Sequence, residues 1–374
     1  MISFFELTGY EYKKMFSKRI AVIIMLASLL LMPILQILLA SPFEDVAIDM
    51  AYARALSGRN LDTQLFMDAS HAYGTENERA YNDVIWIMGR IFDTLPITEE
   101  QANDFYYLRR EQFAEIIYRR YERGHISLQS VERILQFDER NHTPWVFEYA
   151  GGYHMFLQGQ IVVIMVAFLI AVFVSPIFAG EHSTGVSQLI LTSKHGKGKL
   201  IWAKIFTAVS FSIAVSLVYI AVNYLIYMLI YGTDGANAPF QLFMPHSPYS
   251  LTLGGASIIF VVNILLRLLF FGAVLLFLSA KFKSAFGVMA FATAWLFASA
   301  FIWLDILLQV EFLHVLSRPI INAIPFVVTT FADFPYEIFG VVILPFVFEP
   351  IFAVIASIII LPFAGRAFKY HQMG

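Results

Sequence analysis

Two charged residues lie deep inside long apolar runs. Arg267 lies 14 residues before Lys281, and Glu349 lies 17 residues before Arg366. At ~1.5 Å per helical residue, both charges lie at similar depths, about 21 Å and 25 Å from those basic ends. An unpaired charge at the centre of a bilayer costs ~2.5 to 3.5 kcal/mol. We therefore predict an ion pair that either latches the two helices together or lines a polar pathway, with Asn263 as a further polar contact.

A second group of charges lies between two apolar runs, in the segment 181–204. One acid, Glu181, is followed by lysines at 194, 197, 199 and 204. Ser183 and Thr184 are predicted to cap a short helix. The apolar face of this helix is formed by Val186, Leu189 and Ile190. Such a helix suits the docking of a soluble partner, and the alternative is a basic loop that only fixes the topology.

The sequence contains no motif for catalysis, cofactor binding or metal binding. H-E-x-x-H and G-x-S-x-G are absent, and Gly196 to Lys199 lacks the first glycine and the final hydroxyl residue of a phosphate-binding loop. There is no cysteine, which excludes disulfides and cysteine metal sites. Histidines 71, 125, 142 and 154 lack the spacing of metal ligands. We therefore expect no catalytic, cofactor-binding or metal site, and no ATP hydrolysis by this chain alone.

The composition is that of an integral membrane protein. The chain is 59 % hydrophobic and 14 % charged, and its mean hydropathy is +0.68. A membrane-spanning helix needs about 20 apolar residues. Six runs meet that requirement, at 20–40, 159–180, 205–231, 253–280, 285–308 and 339–363. The predicted fold class is an all-α polytopic membrane protein with six transmembrane helices.

The lysines predict the orientation of these helices. All ten lysines fall in segments that lie on one side if the six spans alternate, and the positive-inside rule makes that side the cytoplasm. The segment 41–158 contains no lysine, but eleven arginines and nineteen acidic residues. We therefore expect it to be extracellular, with both chain termini cytoplasmic. The remaining segments are an interfacial elbow helix at 1–19, a cytoplasmic loop at 181–204 and a cytoplasmic tail at 364–374.

The segment 41–158 is predicted to be a small helical domain. Thr98 and Gln101 form a capping box, and Ser127 starts a later helix. The domain either presents a surface to a substrate or partner, or acts as a packed spacer.

Between the last two spans, the segment 309–338 is apolar but interrupted by three prolines. It is predicted to form short helices that dip into the outer leaflet, where protein or water covers the irregular backbone.

The order of these features resembles the ABC-2 type permeases, the membrane subunits of ABC exporters. The amino end contains E-Y-K-K-x-F at 11–16, and the loop after span two has the form E-x-x-x-G, apolar residues, serine, basic residues and a closing lysine. These loop positions are Glu181, Gly185, Leu189 to Leu191, Ser193, Lys194 and Lys204. The family often has a proline after the serine and an arginine soon after, which Lys194 and Lys197 replace here.

The resemblance implies a type V exporter-like fold with a coupling helix at 181–191. That helix contacts a separate nucleotide-binding ATPase, which binds the ATP and Mg that this chain does not. The residues implied in coupling are Glu181, Gly185, Val186, Leu189, Ile190 and Lys194. The resemblance also implies re-entrant helices at 309–338 and a second permease, identical or paralogous, beside this one. Lipid is a further expected partner, and nucleic acid is not.

The expected function is therefore export of a cargo from a bacterial cell through the plasma membrane. With 37 phenylalanines and few charges in the spans, an amphipathic or hydrophobic cargo such as a peptide, antibiotic or lipid-like molecule is favoured. Lipid-facing helices show the same aromatic content. The alternatives are a receptor that senses a ligand through the domain at 41–158, and a secondary transporter that uses Arg267 and Glu349.

Overall fold

The computed structural model describes residues 3–40, 43–124, 126–193, 196, 198–300, 318–331 and 335–370. Within these ranges the chain is mostly helical, as predicted, and a two-stranded hairpin is a departure from the all-α prediction. The α-helices are α1 (Phe4–Met15), α2 (Arg19–Ala40), α3 (Phe43–Leu56), α4 (Thr63–Ala72), α5 (Asn82–Met88), α6 (Glu99–Asn103), α7 (Phe105–Glu122), α8 (Leu128–Glu139), α9 (Gly151–Leu157), α10 (Gln160–Val174), α11 (Pro176–Ser183), α12 (Val186–Thr192), α13 (Lys199–Tyr231), α14 (Leu253–Lys281), α15 (Ala285–Ala300), α16 (Val327–Thr330) and α17 (Pro345–Tyr370). The other elements are two 3-10 turns, Glu78–Tyr81 and Phe240–Leu242, and strands β1 (Tyr336–Ile338) and β2 (Val341–Ile343).

Local sequence signals set the beginnings of several helices. Thr98 Oγ1 accepts a hydrogen bond from the Gln101 N–H at 3.3 Å, and the Thr98 N–H donates to Gln101 Oε1 at 2.8 Å. This capping box confirms the predicted start of α6. Ser127 Oγ accepts from the Ser130 N–H at 3.2 Å and starts α8, also as predicted. These side chains satisfy N–H groups that have no partner within their own helix.

Among the described residues, five helical runs are long and apolar enough to cross a membrane: α2, the run from α9 through α11, α13, α14 and α17. The shorter α15 begins where the fifth span was predicted, and residues 301–308 of that span lie outside the described residues. Pro176 separates α10 from α11, because it starts a new helix inside the second predicted span. The last long helix begins at Pro345, not at 339, because the hairpin occupies 336–343.

Helix α14 lies at the centre of the bundle and packs against α10, α11, α13, α15 and α17. Gly272 permits this approach, since a Cβ atom there would lie 2.8 Å from Ser212 Oγ on α13. Helix α2 is mostly exposed and contacts the bundle along a narrow strip. Tyr227 OH donates to Gln36 Oε1 at 2.8 Å and so joins α13 to that strip. Such polar contacts hold helices together in a lipid environment, where contact between apolar side chains adds little free energy.

The helices between α2 and α10 form a domain whose main apolar core is continuous with that of the helical bundle. Within the domain this core contains a tilted ring pair, with 4.3 Å between the centroids of Phe66 and Phe105, and an edge-to-face pair, with 5.1 Å between those of Tyr106 and Trp145. A smaller cluster lies between α7 and α8 and includes Phe113. Because the sequence has no cysteine, packing and polar contacts hold this domain together.

A buried arginine fastens the domain to the loop between α13 and α14. Arg109 Nη1 lies 2.5 Å from Asp138 Oδ1. Arg109 Nε donates to the Pro245 carbonyl at 2.8 Å, and Nη2 donates to the Ser247 carbonyl at 2.9 Å. Burial lowers the pKa of Arg109, and the Asp138 carboxylate opposes that shift. We name this group, Arg109 with Asp138 and the two carbonyls, the domain clasp.

The hairpin β1–β2 touches the domain as well as the bundle. Its turn residues Phe339 and Gly340 both have positive φ, +51° and +76°, as the tight turns of two-residue hairpins require. Glu337 Oε2 accepts hydrogen bonds from the Ser127 N–H at 3.2 Å and from Ser130 Oγ at 2.9 Å. These bonds from Ser127 and Ser130 lower the pKa of Glu337. The hairpin therefore ties the start of α8 to the start of α17.

Candidate coupling site and intramembrane charge pair

The segment between α11 and α13 turns sharply at Gly185. This residue has φ +70°, in the left-handed region that favours glycine, and it lies directly between α11 and α12. The predicted capping role of Ser183 and Thr184 is wrong: both hydroxyls donate to the Gly180 carbonyl at 3.0 Å, and α12 has no side-chain cap. The hydroxyls instead complete the last turn of α11.

Helix α12 presents an apolar surface to solvent. Leu189 is 73 % exposed and Val186 is 42 % exposed. Ile190 is half-buried and packs against the main core, so the predicted apolar face is divided between outside and inside. Lys194, which was predicted to belong to the same surface, lies outside the described residues. We name Val186 and Leu189 the α12 surface.

Beside α12, four charged side chains form a cluster between α1, α11 and α13. Lys204 Nζ lies 2.5 Å from Glu181 Oε1 and 2.8 Å from Glu11 Oε1. Lys14 Nζ also contacts Glu181 Oε1, at 2.8 Å. Lys204 and Glu181 are buried, whereas Lys14 is exposed. We name this group, Glu11, Lys14, Glu181 and Lys204, the interface cluster.

Within the interface cluster, Glu181 holds α11 against α1 and α13 through its two lysine partners. Its Oε1 atom is shared by two lysines, and its Oε2 atom has no hydrogen-bond partner within the described residues. Removing one partner of a buried ion pair costs about 3–5 kcal/mol, because the other charge stays buried. Sequence reasoning singled out Glu181 and Lys204 but not their contact. The signal was available, since a lysine at the start of an apolar helix needs a carboxylate.

The structure brings the two deep charges together. Arg267 Nη1 on α14 lies 2.8 Å from Glu349 Oε2 on α17, and each side chain is 1 % exposed. Among the described residues, Asn263 makes no hydrogen bond to Arg267. Its amide donates to the Phe346 carbonyl on α17 at 3.2 Å, so it is a second polar link between the same two helices.

The charge pair is enclosed by the segment that precedes α17. Arg267 donates to the Asn322 carbonyl, and to Thr330 Oγ1 at 3.3 Å. Glu349 Oε1 accepts from Tyr336 OH at 2.8 Å and from the Asn322 amide at 3.3 Å. The described part of this segment contains a short helical turn at 318–321, helix α16 and strand β1. The polar groups of this segment make hydrogen bonds to both buried charged side chains, which lowers the cost of burying them.

The five long apolar helical runs among the described residues indicate a multi-pass membrane protein. The family model described as ABC-2 family transporter protein matches residues 12–322, so the chain belongs to that family. It is thus a membrane transport subunit of a kind that is generally non-catalytic and normally works with an ABC ATPase subunit. No curated protein and no solved structure matches the chain.

Proposed function

We propose that this chain is the permease subunit of an ATP-driven exporter, energised by a separate nucleotide-binding ATPase that docks on the α12 surface. The observation that carries the proposal is the position of that surface. Leu189 and Val186 are exposed on a short helix that is held at one end by Gly185 and flanked by the interface cluster. Exposed apolar side chains next to a rigid charged cluster suit a docking site for a soluble partner.

In this proposal the interface cluster transmits motion and does not itself contact the ATPase. ATP, bound with Mg by the partner, closes the ATPase dimer and displaces α12. Because Glu181 at the end of α11 is paired with Lys204 on α13 and with Lys14 on α1, these three helices move together. Lys194, two residues after α12 in the sequence, is proposed to contribute a cation to the coupling. The pathway between two permease subunits, identical or paralogous, then opens outward or narrows.

The proposed topology has six spans, with α15 and the residues after it forming the fifth. Both termini and α12 face the cytoplasm, and the domain between α2 and α10 faces outward from a bacterial plasma membrane. The segment 309–338 is re-entrant in this arrangement. The asymmetry of lysine supports the orientation. The irregular backbone around the Arg267–Glu349 pair, buried by protein, supports the re-entrant assignment.

The proposed cargo is amphipathic or hydrophobic, such as a peptide, an antibiotic or a lipid-like molecule. The abundance of phenylalanine and the scarcity of charge in the long helices support this class. In the described helices, the deep charges are engaged with each other and with neighbouring polar groups. This arrangement favours a latch between α14 and α17 over a path for a hydrophilic ion.

The test is co-expression of this chain with an ABC ATPase encoded beside it, followed by affinity purification through this chain. We expect the ATPase to co-purify with the wild type. Leu189→Glu places a charge on the α12 surface and should reduce recovery of the ATPase at least about tenfold, since a desolvated unpaired charge costs more than ~1.4 kcal/mol. Leu128→Glu is the matched control, because Leu128 is also an exposed leucine, on the separate domain.

Two results would contradict the proposal. One is the absence of any ABC ATPase in the purified wild-type complex. The other is equal recovery of the ATPase with Leu189→Glu and with wild type. Loss of the ATPase in both leucine variants would show that an added charge acts non-specifically, and the α12 surface would then have no support from this test.

A further inference from the structure

A cavity of about 200 Å³ lies where the domain meets the helical bundle. Its walls come from α3, the turn Glu78–Tyr81, α5, α9 and the end of α13, with Phe147 and Tyr149 from the connecting segment. An apolar protein cavity of about 150 Å³ is large enough to hold benzene. On that scale, this cavity has room for an organic group of roughly eight heavy atoms.

Two carboxylates line the cavity, and they differ in their partners. Asp49 Oδ1 lies 2.5 Å from Arg79 Nε, and both side chains are partly exposed, 44 % and 38 %. Asp83 is half-buried and makes no hydrogen bond or ion pair within the part of the chain that is described. Burial, together with the negative charge of Asp49, raises the pKa of Asp83 to about 6. A carboxylate that has no protein partner in a partly desolvated cavity destabilises the folded protein. A role in binding a ligand would explain its presence there.

Apart from the two carboxylates, Arg79, Asn82 and His154, the side chains that line the cavity are mostly apolar or aromatic. Met50, Leu56 and Met155 supply flexible or aliphatic surface, and Tyr149 and Tyr231 supply aromatic rings. Aromatic rings attract ammonium groups through their negative faces. Within the described residues, no three histidine, aspartate or glutamate side chains lie close enough to share a metal ion. The lining thus favours an organic cation over a metal.

We propose that this cavity binds an amphipathic organic cation, a protonated amine with an alkyl or aryl arm. The ammonium group lies against Asp83, because Asp49 is already paired with Arg79. The arm extends along Met50, Leu56 and Met155. The site is independent of the proposed exporter role, since its walls belong to this chain alone and binding requires neither ATP nor the ATPase.

The test uses two probes of equal size, 2-phenylethylamine and 2-phenylethanol, which differ by one charge at pH 7.5. Binding to the purified full chain in nanodiscs is measured by titration calorimetry, with empty nanodiscs as the blank for partition into lipid. We expect saturable binding of the amine and at least about tenfold weaker binding of the alcohol, since a charge-assisted hydrogen bond is lost. Asp83→Asn should weaken the amine about tenfold as well and leave the alcohol unchanged.

Two further variants separate the cavity from general effects. Asp93→Asn removes an exposed carboxylate of the same domain and should leave the amine affinity unchanged. Ala53→Leu fills part of the cavity with an apolar side chain and should weaken both probes together. Equal affinity of the amine for wild type and Asp83→Asn would overturn the proposal. So would saturable binding of the alcohol as tight as that of the amine, or no saturable binding of the amine. None of these outcomes depends on whether the ATPase docks on α12.

Discussion

The ionised side chain of Asp83 lowers the stability of the folded protein. Its pKa rises from 3.8 to about 6, first because it is buried and second because Asp49 is close. The folded protein therefore holds this proton more tightly than the unfolded chain does. Well below pH 3.8 the carboxyl is protonated in both states and costs nothing. As the pH rises from 3.8 to about 6, the unfolded chain loses the proton while the folded protein keeps it, and stability falls. Above about pH 6 the folded protein also ionises, and the loss of stability levels off.

We expect Asp83→Asn to stabilise the folded protein at pH 7.5 by about 2 to 3 kcal/mol, at 1.36 kcal/mol per pKa unit, and to have almost no effect at about pH 3. The measurement is the free energy of unfolding in mixed micelles at both pH values. Other titratable groups line the same cavity, and their effects cancel in the difference between variant and wild type. They are Asp49, Arg79, Tyr149, His154 and Tyr231.

Asp93→Asn is the control for the Asp83 prediction. Asp93 is exposed in the same domain, so its replacement should leave the stability unchanged at both pH values. An Asp83→Asn variant that is no more stable than wild type at pH 7.5 would show that water or another group solvates Asp83 fully.

At the scale of elements, the ion pair between Arg267 and Glu349 links α14 to α17. Arg267→Met leaves Glu349 buried without its cation, and Glu349→Gln leaves Arg267 without its anion. We expect each single variant to lose about 3–5 kcal/mol of unfolding free energy, and the double variant to lose much less than the sum. The measurement is a double-mutant cycle of chemical unfolding in micelles.

The control for this cycle combines Arg267→Met with Glu181→Gln. Glu181 belongs to the interface cluster and shares no partner with Arg267, so these two changes should be additive within about 0.5 kcal/mol. Additive effects of the Arg267 and Glu349 substitutions would mean that neighbouring polar groups, such as Tyr336, carry the contact and that the pair itself does not.

The elements that could be predicted from sequence are those set by local or one-dimensional signals. The cap at Thr98 follows from a hydroxyl and an amide residue three positions apart, and the cap at Ser127 follows from a serine directly before a helical apolar pattern. The meeting of Arg267 and Glu349 follows from matched depth, because few deep charges exist and each needs a partner. Gly185 was singled out through its motif, and its positive φ gives the physical reason for glycine there.

Other features depend on contacts that spacing alone does not reveal. The hairpin at 336–343 lies in an apolar stretch that also fits the start of a helix, and its Phe339–Gly340 turn lacks the usual asparagine or aspartate. The interface cluster joins Glu11 to Lys204 across 193 residues. The cavity around Asp83 is assembled from several separate segments, so no local pattern marks it.

At the scale of the whole molecule, the domain clasp determines whether the domain moves with the bundle. We expect Arg109→Gln to loosen this attachment, because it removes a cation that bonds two carbonyls and leaves Asp138 buried without its main partner. Loss of one partner from such a buried pair costs about 3–5 kcal/mol. The measurement is limited proteolysis in nanodiscs, in which cleavage within 43–159 should become faster.

Arg110→Gln is the matched control for the domain clasp. Arg110 is the neighbouring residue, it is 45 % exposed, and it lies 4.0 Å from Asp138. Exposed ion pairs contribute at most about 1 kcal/mol, so this variant should be cleaved at the wild-type rate. Equal cleavage of both variants and wild type would show that other contacts, such as Glu337 with Ser130, suffice to hold the domain.

The domain clasp also has a consequence for the time course of synthesis. Arg109 is made 136 residues before the Pro245 carbonyl that it binds. At ~5–20 residues per second, that interval is about 7 to 27 s. During this time α7 has been made, but the loop after α13, which carries the Pro245 and Ser247 carbonyls, has not. Synthesis of that loop, and not of α13 alone, is therefore the event that lets the domain clasp close.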